Sequence, residues 1–141
     1  MSEQNIELLR RASEAFNARD IEAFIALSDP SIEWNSQMTV PGGAVYHGHD
    51  GLRQYFRDME DAWGDELRAE PEAYFDLGEQ TLLFYVLRGR GRQSGAEVAM
   101  PLAAVARWRD GLCAYWKAYF HREDALRDLG VPEDALEPIA P

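Results

Sequence analysis

Three histidines, His47, His49 and His121, are the side chains of this 141-residue chain whose ordinary pKa lies near neutrality, so they are the first candidates for moving a proton. His47 and His49 flank Gly48, and Tyr46 stands just before them with a phenol. Tyr46, His47, His49 and His121 are therefore the candidate acid-base set. The plainer use of each histidine is capping or solvation. A metal site is not expected, because no HxxxH pair lies on a helix and the strand-like segments offer no evident carboxylate partner. Cys113 is the only cysteine. It permits no intrachain disulfide and no CxxC knuckle, and reads as a small buried strand residue.

A second set of residues suits binding better than catalysis. Trp34, Tyr55, Met59, Trp63, Met100, Trp116 and Phe120, together with Tyr46, fall on faces expected to point between a third helix and a sheet. Such a set would line an apolar cavity with a few polar handles, the usual composition of a small-molecule site. A closed core is the alternative. Arg88 joins the binding candidates: with Arg90 and Arg92 it shares one strand face and could hold a carboxylate or phosphate. The other reading is a solvated strand end paired to the chain's many acids. Glu33 and Asn35 flank Trp34, so they point away from the cavity if Trp34 points in.

The elements that must position these residues follow from periodicity. In residues 5–18 Ile6, Leu8, Leu9, Ala12, Ala15 and Phe16 recur at spacings of three and four, the stripe of a helix. Asp20 precedes a second, shorter apolar run and can cap it. Asp29-Pro30 stops that helix, and 31–34 alternate as a half-buried strand. Residues 35–48 lose periodicity and carry Pro41, Gly42, Gly43 and Gly48, so they read as a mobile loop over one end of the domain. A third helix opens at Gly48, His49 and Asp50 and ends near Gly64. Four strand-like segments follow, 67–77, 81–92, 96–109 and 112–121. Their connectors, Gly78-Glu79, Gln93-Ser94-Gly95 and Asp110-Gly111, read as hairpin turns. A tail helix, 122–129, stops at Gly130.

The turns are too tight for crossover helices, so the late strands pair as an antiparallel meander and the fold class is α+β. The length suits one domain, 1–141. Both faces of the last two strands are apolar in the middle, and Pro101 argues for a bulge or bend there. The second dry face is expected to meet another copy, giving a homodimer packed through the sheet; a sheet curled enough to bury both faces within one chain is the alternative. With 25 acidic and 14 basic residues the formal charge is −11, which would repel phosphate backbones and anionic headgroups. Nucleic acid and membrane are thus poor partners. No apolar leader or membrane-length run is present, which reads as cytoplasmic.

The order of short motifs is also familiar. Phe16-Asn17-Ala18-Arg19-Asp20, Asp29-Pro30-Ser31-Ile32-Glu33-Trp34, Tyr46-His47-Gly48-His49-Asp50-Gly51-Leu52, Arg88-Gly89-Arg90-Gly91-Arg92 and Arg109-Asp110-Gly111 through Tyr119 to Glu123-Asp124-Ala125-Leu126 resemble a SnoaL-like protein of the NTF2-like superfamily. The resemblance implies a cone, in which a curved antiparallel sheet wraps N-terminal helices around an internal pocket. It implies no cofactor, and it spans polyketide cyclases, isomerases, epoxide hydrolases, dehydratases and noncatalytic binding domains. A ketosteroid isomerase would carry a tyrosine donor at Ala12 and a carboxylate base at Trp34. A limonene epoxide hydrolase would need acids that 81–92 lacks, and a second acid where Ala118 stands. The expectation is therefore cofactor-independent proton transfer on a hydrophobic cyclic or polyketide-like metabolite, or binding of an apolar ligand without chemistry. A histidine or tyrosine lining the cavity would favour the first, a wall of only Trp, Phe, Met and Leu the second.

Overall fold

The stripe beginning at Ile6 buries Ile6, Leu9, Ala15 and Phe16 on one side of the first helix, and the sheet lies beneath it. The computed structural model describes residues 2–90 and 95–141. Its elements run α1 (Ser2–Ala18), α2 (Ile21–Ala26), β1 (Ser28–Ser36), β2 (Ala44–His47), α3 (Gly48–Trp63), β3 (Arg68–Asp76), β4 (Gln80–Arg90), β5 (Glu97–Arg109), β6 (Leu112–Tyr119) and α4 (Arg122–Leu129). The strands form one curved sheet in the order β2-β1-β6-β5-β4-β3. Of its pairings only β1 with β6 is parallel. This is the expected α+β class with the expected late meander.

Local chemistry sets the boundaries. The Asp20 carboxylate accepts the Ala23 amide at 3.1 Å and caps α2. Asp110 and Gly111 both have positive φ, 52° and 77°, as a two-residue type I′ hairpin turn requires. Gly130 closes α4 in the left-handed conformation. Gly89 serves a different need: a Cβ there would lie 3.0 Å from the Leu67 backbone, so the chain entering β3 approaches β4 more closely than a side chain allows.

Two expectations change, and a third falls outside the described residues. Residues 35–48 are not all loop, because β1 runs on to Ser36 and pairs antiparallel with β2 from Glu33↔His47 to Ser36↔Ala44. Four residues are too few to show a period in the sequence. Pro101 causes no bulge: β5 keeps register with β4 through Val86↔Pro101. Pairing with β6 begins only at Ala103, so β5 is an edge at Pro101, where a missing N–H is tolerated. The turn expected at Gln93-Ser94-Gly95 lies outside the described residues except for Gly95, and Arg92 lies outside them too.

The sheet has two dry faces, as the sequence suggested, and much of the second is covered by the chain itself. On the inner face Ile32, Trp34, Leu83, Tyr85, Leu87, Leu102 and Ala104 pack with α1, α2 and α3 in the main core. On the outer face Phe75, Leu82, Phe84, Ala103 and Val105 form a second cluster with Ala125, Leu126 and Leu129 of α4 and with Leu136 beyond it. The tail continues along the β3 edge, where Ile139 pairs with Tyr74 in both directions at 2.7 and 2.9 Å.

Candidate functional site

A cavity of about 820 Å³, counting its open mouth, lies between α1 and the inner face of the sheet. One wall is the α1 stripe, Leu8, Leu9, Ala12, Ser13 and Phe16, joined by Phe24 and Leu27 from α2 and its end. The sheet supplies Trp34 and Ser36 from β1, Ala69 from β3, Leu83, Tyr85 and Leu87 from β4, Trp108 from β5, and Cys113, Trp116 and Ala118 from β6, while α3 contributes Tyr55. Alternation brings most of these residues to one face; Cys113, of opposite parity to Trp116 and Ala118, joins them through the irregularity between Arg107↔Tyr115 and Trp108↔Cys113, where β6 has one residue more than β5. The Trp34↔Trp116 register then lays the two indoles parallel, with centroids 4.6 Å apart and planes 4° apart.

Trp34 anchors this wall. Besides Trp116 it meets Phe24 edge-on at 5.4 Å and Tyr55 at 5.2 Å, contacts that fix aromatic rings beyond simple burial. Its indole N–H is buried without a hydrogen bond of ordinary geometry. The Tyr55 hydroxyl is close enough to feel that N–H, yet burial dominates and raises the Tyr55 phenol well above its usual range. Burial does the same to Tyr85, reinforced by Tyr55, and pushes the Cys113 thiol up to about 12. Among the described residues, none that lines the wall is an Asp, Glu, Lys, Arg or His. The wall thus holds neutral donors and no side chain ordinarily charged near neutral pH.

Of the residues singled out in the sequence, the cavity brings together Trp34, Tyr55 and Trp116. Met59 lies instead in a smaller hollow on the other side of Phe16, with Ile21, Phe56 and Leu67. Trp63 donates its indole N–H to the Met38 carbonyl at 2.9 Å, and Met100 packs against the core at the far end of β5. Phe120 is 47% exposed just past β6. Arg88 is exposed and paired with Glu70, while Arg90 pairs with Glu97.

The four acid-base candidates also lie outside the cavity wall. Tyr46 donates its hydroxyl hydrogen to Asp58 at 2.6 Å and accepts from Thr39 at 2.8 Å; burial, then the Asp58 carboxylate, raises its pKa. His49 donates its Nε2–H to the carbonyl of Ser28, a wall residue, at 2.9 Å. His47 and His121 are exposed at the starts of α3 and α4, where neither side chain makes a cap bond. Glu33 and Asn35 point outward from Trp34 and bond to each other at 3.0 Å. Among the described residues no three His, Cys, Asp or Glu side chains come together as metal ligands would, and no helix is long and apolar enough to cross a membrane.

Sequence reasoning missed Tyr85, Trp108, Cys113 and the lining serines Ser13, Ser28 and Ser36. The alternation of β4 was the available signal, since it places Leu83, Tyr85 and Leu87 on one face. Ala12 and Trp34, the positions where a ketosteroid isomerase would carry its donor and its base, both line the cavity.

Residues 9–116 match the model of the SnoaL-like domain. No curated protein matches the chain. Among solved structures, an NTF2-like protein of unknown function from Burkholderia pseudomallei K96243 superposes with a TM-score of 0.74 at 24% identity, covering 90% of this chain and 97% of that one. TerC, co-crystallised with polyporic acid, gives 0.74 at 21% identity over 89% and 97% of the two chains. A proposed polyketide cyclase from Xanthomonas campestris pv. campestris gives 0.69 at 18% identity over 89% and 96%. At these identities the structures speak for the fold, and the domain match speaks for the family. The chain belongs to the SnoaL-like family, and its fold is that of the NTF2-like proteins it superposes on.

Proposed function

We propose that this protein binds a small, apolar, ring-shaped molecule in the cavity between α1 and the sheet. The observation that carries the reading is the wall itself, whose described residues are mostly aromatic and aliphatic, with a few neutral polar groups and no ordinarily charged side chain among them. Burying a charged ligand there would leave the charge unpaired at a large cost, whereas a flat apolar ring gains burial and aromatic contact. TerC, a neighbour of the same fold, was crystallised with polyporic acid, which supports a ring ligand by analogy alone. The test is native mass spectrometry and tryptophan fluorescence against a panel of terpenoid, steroid and aromatic polyketide compounds. One-to-one binding with quenching is expected; a panel without a single binder overturns the reading.

Proton transfer without a cofactor, as in an isomerase, cyclase or dehydratase, is the second reading. It is favoured by the Tyr55 and Tyr85 phenols in the wall, which could donate to an oxygen developing negative charge. It also requires a base, for which His49, bonded to the carbonyl of the wall residue Ser28, is the candidate histidine. With a confirmed ligand in hand, His47, His49, His121 and Tyr46 are replaced one at a time. Turnover that survives all four replacements removes these residues from the mechanism.

The homodimer remains a proposal on a smaller surface. Val45, Tyr115 and Tyr119 stay at least partly exposed on the outer face of β2 and β6, and a second copy would cover them. Light scattering on a size-exclusion column decides between one copy and two.

A further inference from the structure

We propose that residues 37–43, the loop joining β1 to β2, are a hinged flap that opens and closes the Met38 end of the cavity, latched to α3 by Trp63 and by the Tyr46–Asp58 pair. The proposal rests on the ring-binding reading above and goes beyond it, to how the ligand enters and leaves. Trp34, Ser36 and Met38 follow one another on the inner face by alternation, and all three line the cavity. Trp34 and Ser36 belong to the β1 ladder, whose last pair with β2 is Ser36↔Ala44. Met38 lies beyond it. Every other described wall residue stands in a helix or a strand, except Leu27, which closes α2. Met38 can therefore move without breaking a ladder or a helix.

The loop is longer than a hairpin connection needs. Its tip is exposed at Val40, Pro41 and Gly42. Gly42 and Gly43 have φ of 84° and 85°, a conformation that glycine adopts without strain, and they form the hinge on the β2 side. The other side is held by few bonds. Met38 donates its amide hydrogen to Ser36 Oγ at 3.1 Å, and its carbonyl accepts the Trp63 indole N–H at 2.9 Å. Thr39 donates its hydroxyl hydrogen to Tyr46 at 2.8 Å, and Tyr46 donates its own to Asp58 at 2.6 Å. Trp63 and Asp58 both stand on α3, so side chains of that helix hold the flap shut. Among residues 37–43 only Met38 is buried. A segment with so little buried surface opens at a lower cost than global unfolding, and loops of this kind gate enclosed sites.

The test follows N-phenyl-1-naphthylamine, a neutral aromatic probe that brightens in apolar surroundings, by stopped-flow fluorescence with the full chain. Trp63→Phe keeps a ring and deletes the N–H, so the open population should rise about three- to tenfold, the worth of one neutral hydrogen bond. Asp58→Asn keeps a weaker acceptor for Tyr46 and should act in the same sense by about two- to threefold. The latch does not touch the ligand. Association and dissociation should therefore quicken by the same factor, leaving the dissociation constant unchanged. Amide exchange in 37–43 should quicken with them, while exchange in β4 and β5, which reports an intact sheet, should not. If dissociation alone quickens, Trp63 is a ligand contact and not a latch; if exchange quickens and neither rate moves, the probe enters elsewhere. Either result overturns the flap and leaves ring binding standing. If the unaltered chain does not bind the probe, the ring-binding reading falls and the flap falls with it.

Discussion

Trp34 combines a large buried indole with an N–H that has no regular partner, and the two features can be separated by substitution. Trp34→Ala removes the contacts with Phe24, Tyr55 and Trp116 and is expected to cost about 3–5 kcal/mol. Trp34→Phe keeps most of the ring and discards a group that was not hydrogen-bonded. Its cost should stay below about 1.5 kcal/mol. Urea unfolding of the two variants measures the difference, and equal losses would mean that the N–H does have a partner. Cys113 gives a second prediction at this scale. Its thiol has a reference pKa of 9.0 and is pushed up to about 12 by burial, so the folded chain holds the proton more tightly than the unfolded one. That contribution is complete below pH 9 and is lost as pH rises towards 12. The Tyr55 and Tyr85 phenols, raised from 10, act in the same sense. Stability should therefore fall from about pH 9 upward, and Cys113→Val should flatten the first part of that fall in urea titrations. The same burial predicts that a thiol reagent at pH 8 reacts at the rate of unfolding. Much of this was visible in residue types: a lone cysteine in an apolar strand reads as buried, and Trp34 and Tyr55 read as cavity residues. Which polar groups would be left open was not visible, because hydroxyl partners depend on distances that no sequence period encodes.

At the scale of elements, two glycines separate strain from crowding. Gly111 has φ of 77° and open space where a Cβ would go, so Gly111→Ala should cost only the left-handed penalty, about 1 kcal/mol. Gly89 carries no such φ, but its Cβ would press on Leu67 backbone and side chain at 3.0 Å. Gly89→Ala should therefore cost about 1–3 kcal/mol, because β4 and the start of β3 must separate. Denaturation midpoints rank the two, and a larger loss at Gly111 would reverse the assignment. Long elements were legible because periodicity accumulates: α1, α3, α4 and the β5–β6 hairpin stand close to where pattern and turn chemistry put them. Short ones were not. β2 has four residues, and its existence is decided by pairing with β1. Pro101 was read through its own backbone restriction, while its tolerance comes from where β6 ends.

The cavity and the outer face are properties of the whole molecule. The α1 stripe, Leu8, Leu9, Ala12 and Phe16, was legible as buried, yet one stripe can close a core or wall a cavity; which it does depends on the distance from helix to sheet. The second dry face of the sheet posed a similar problem, and the chain's own end answers part of it. Leu136 adds to the outer cluster, Ile139 occupies the β3 edge beside Tyr74, and Arg10 of α1 donates to the Ala140 carbonyl at 2.9 Å. An uncovered edge strand is a template for pairing with other chains. A chain ended at Val131 loses the two backbone hydrogen bonds of Ile139, the Arg10 bond to Ala140 and the partial burial of Leu136, about 2–4 kcal/mol in all. It should also form species larger than those of the full chain as concentration rises, because the β3 edge is opened. Urea unfolding and sedimentation velocity over a concentration series measure the two effects. Lower stability without larger species would mean that the strand's own residues, such as Pro71 and the charged Arg68, Glu70, Glu72 and Asp76, guard the edge and that the tail serves only the outer cluster.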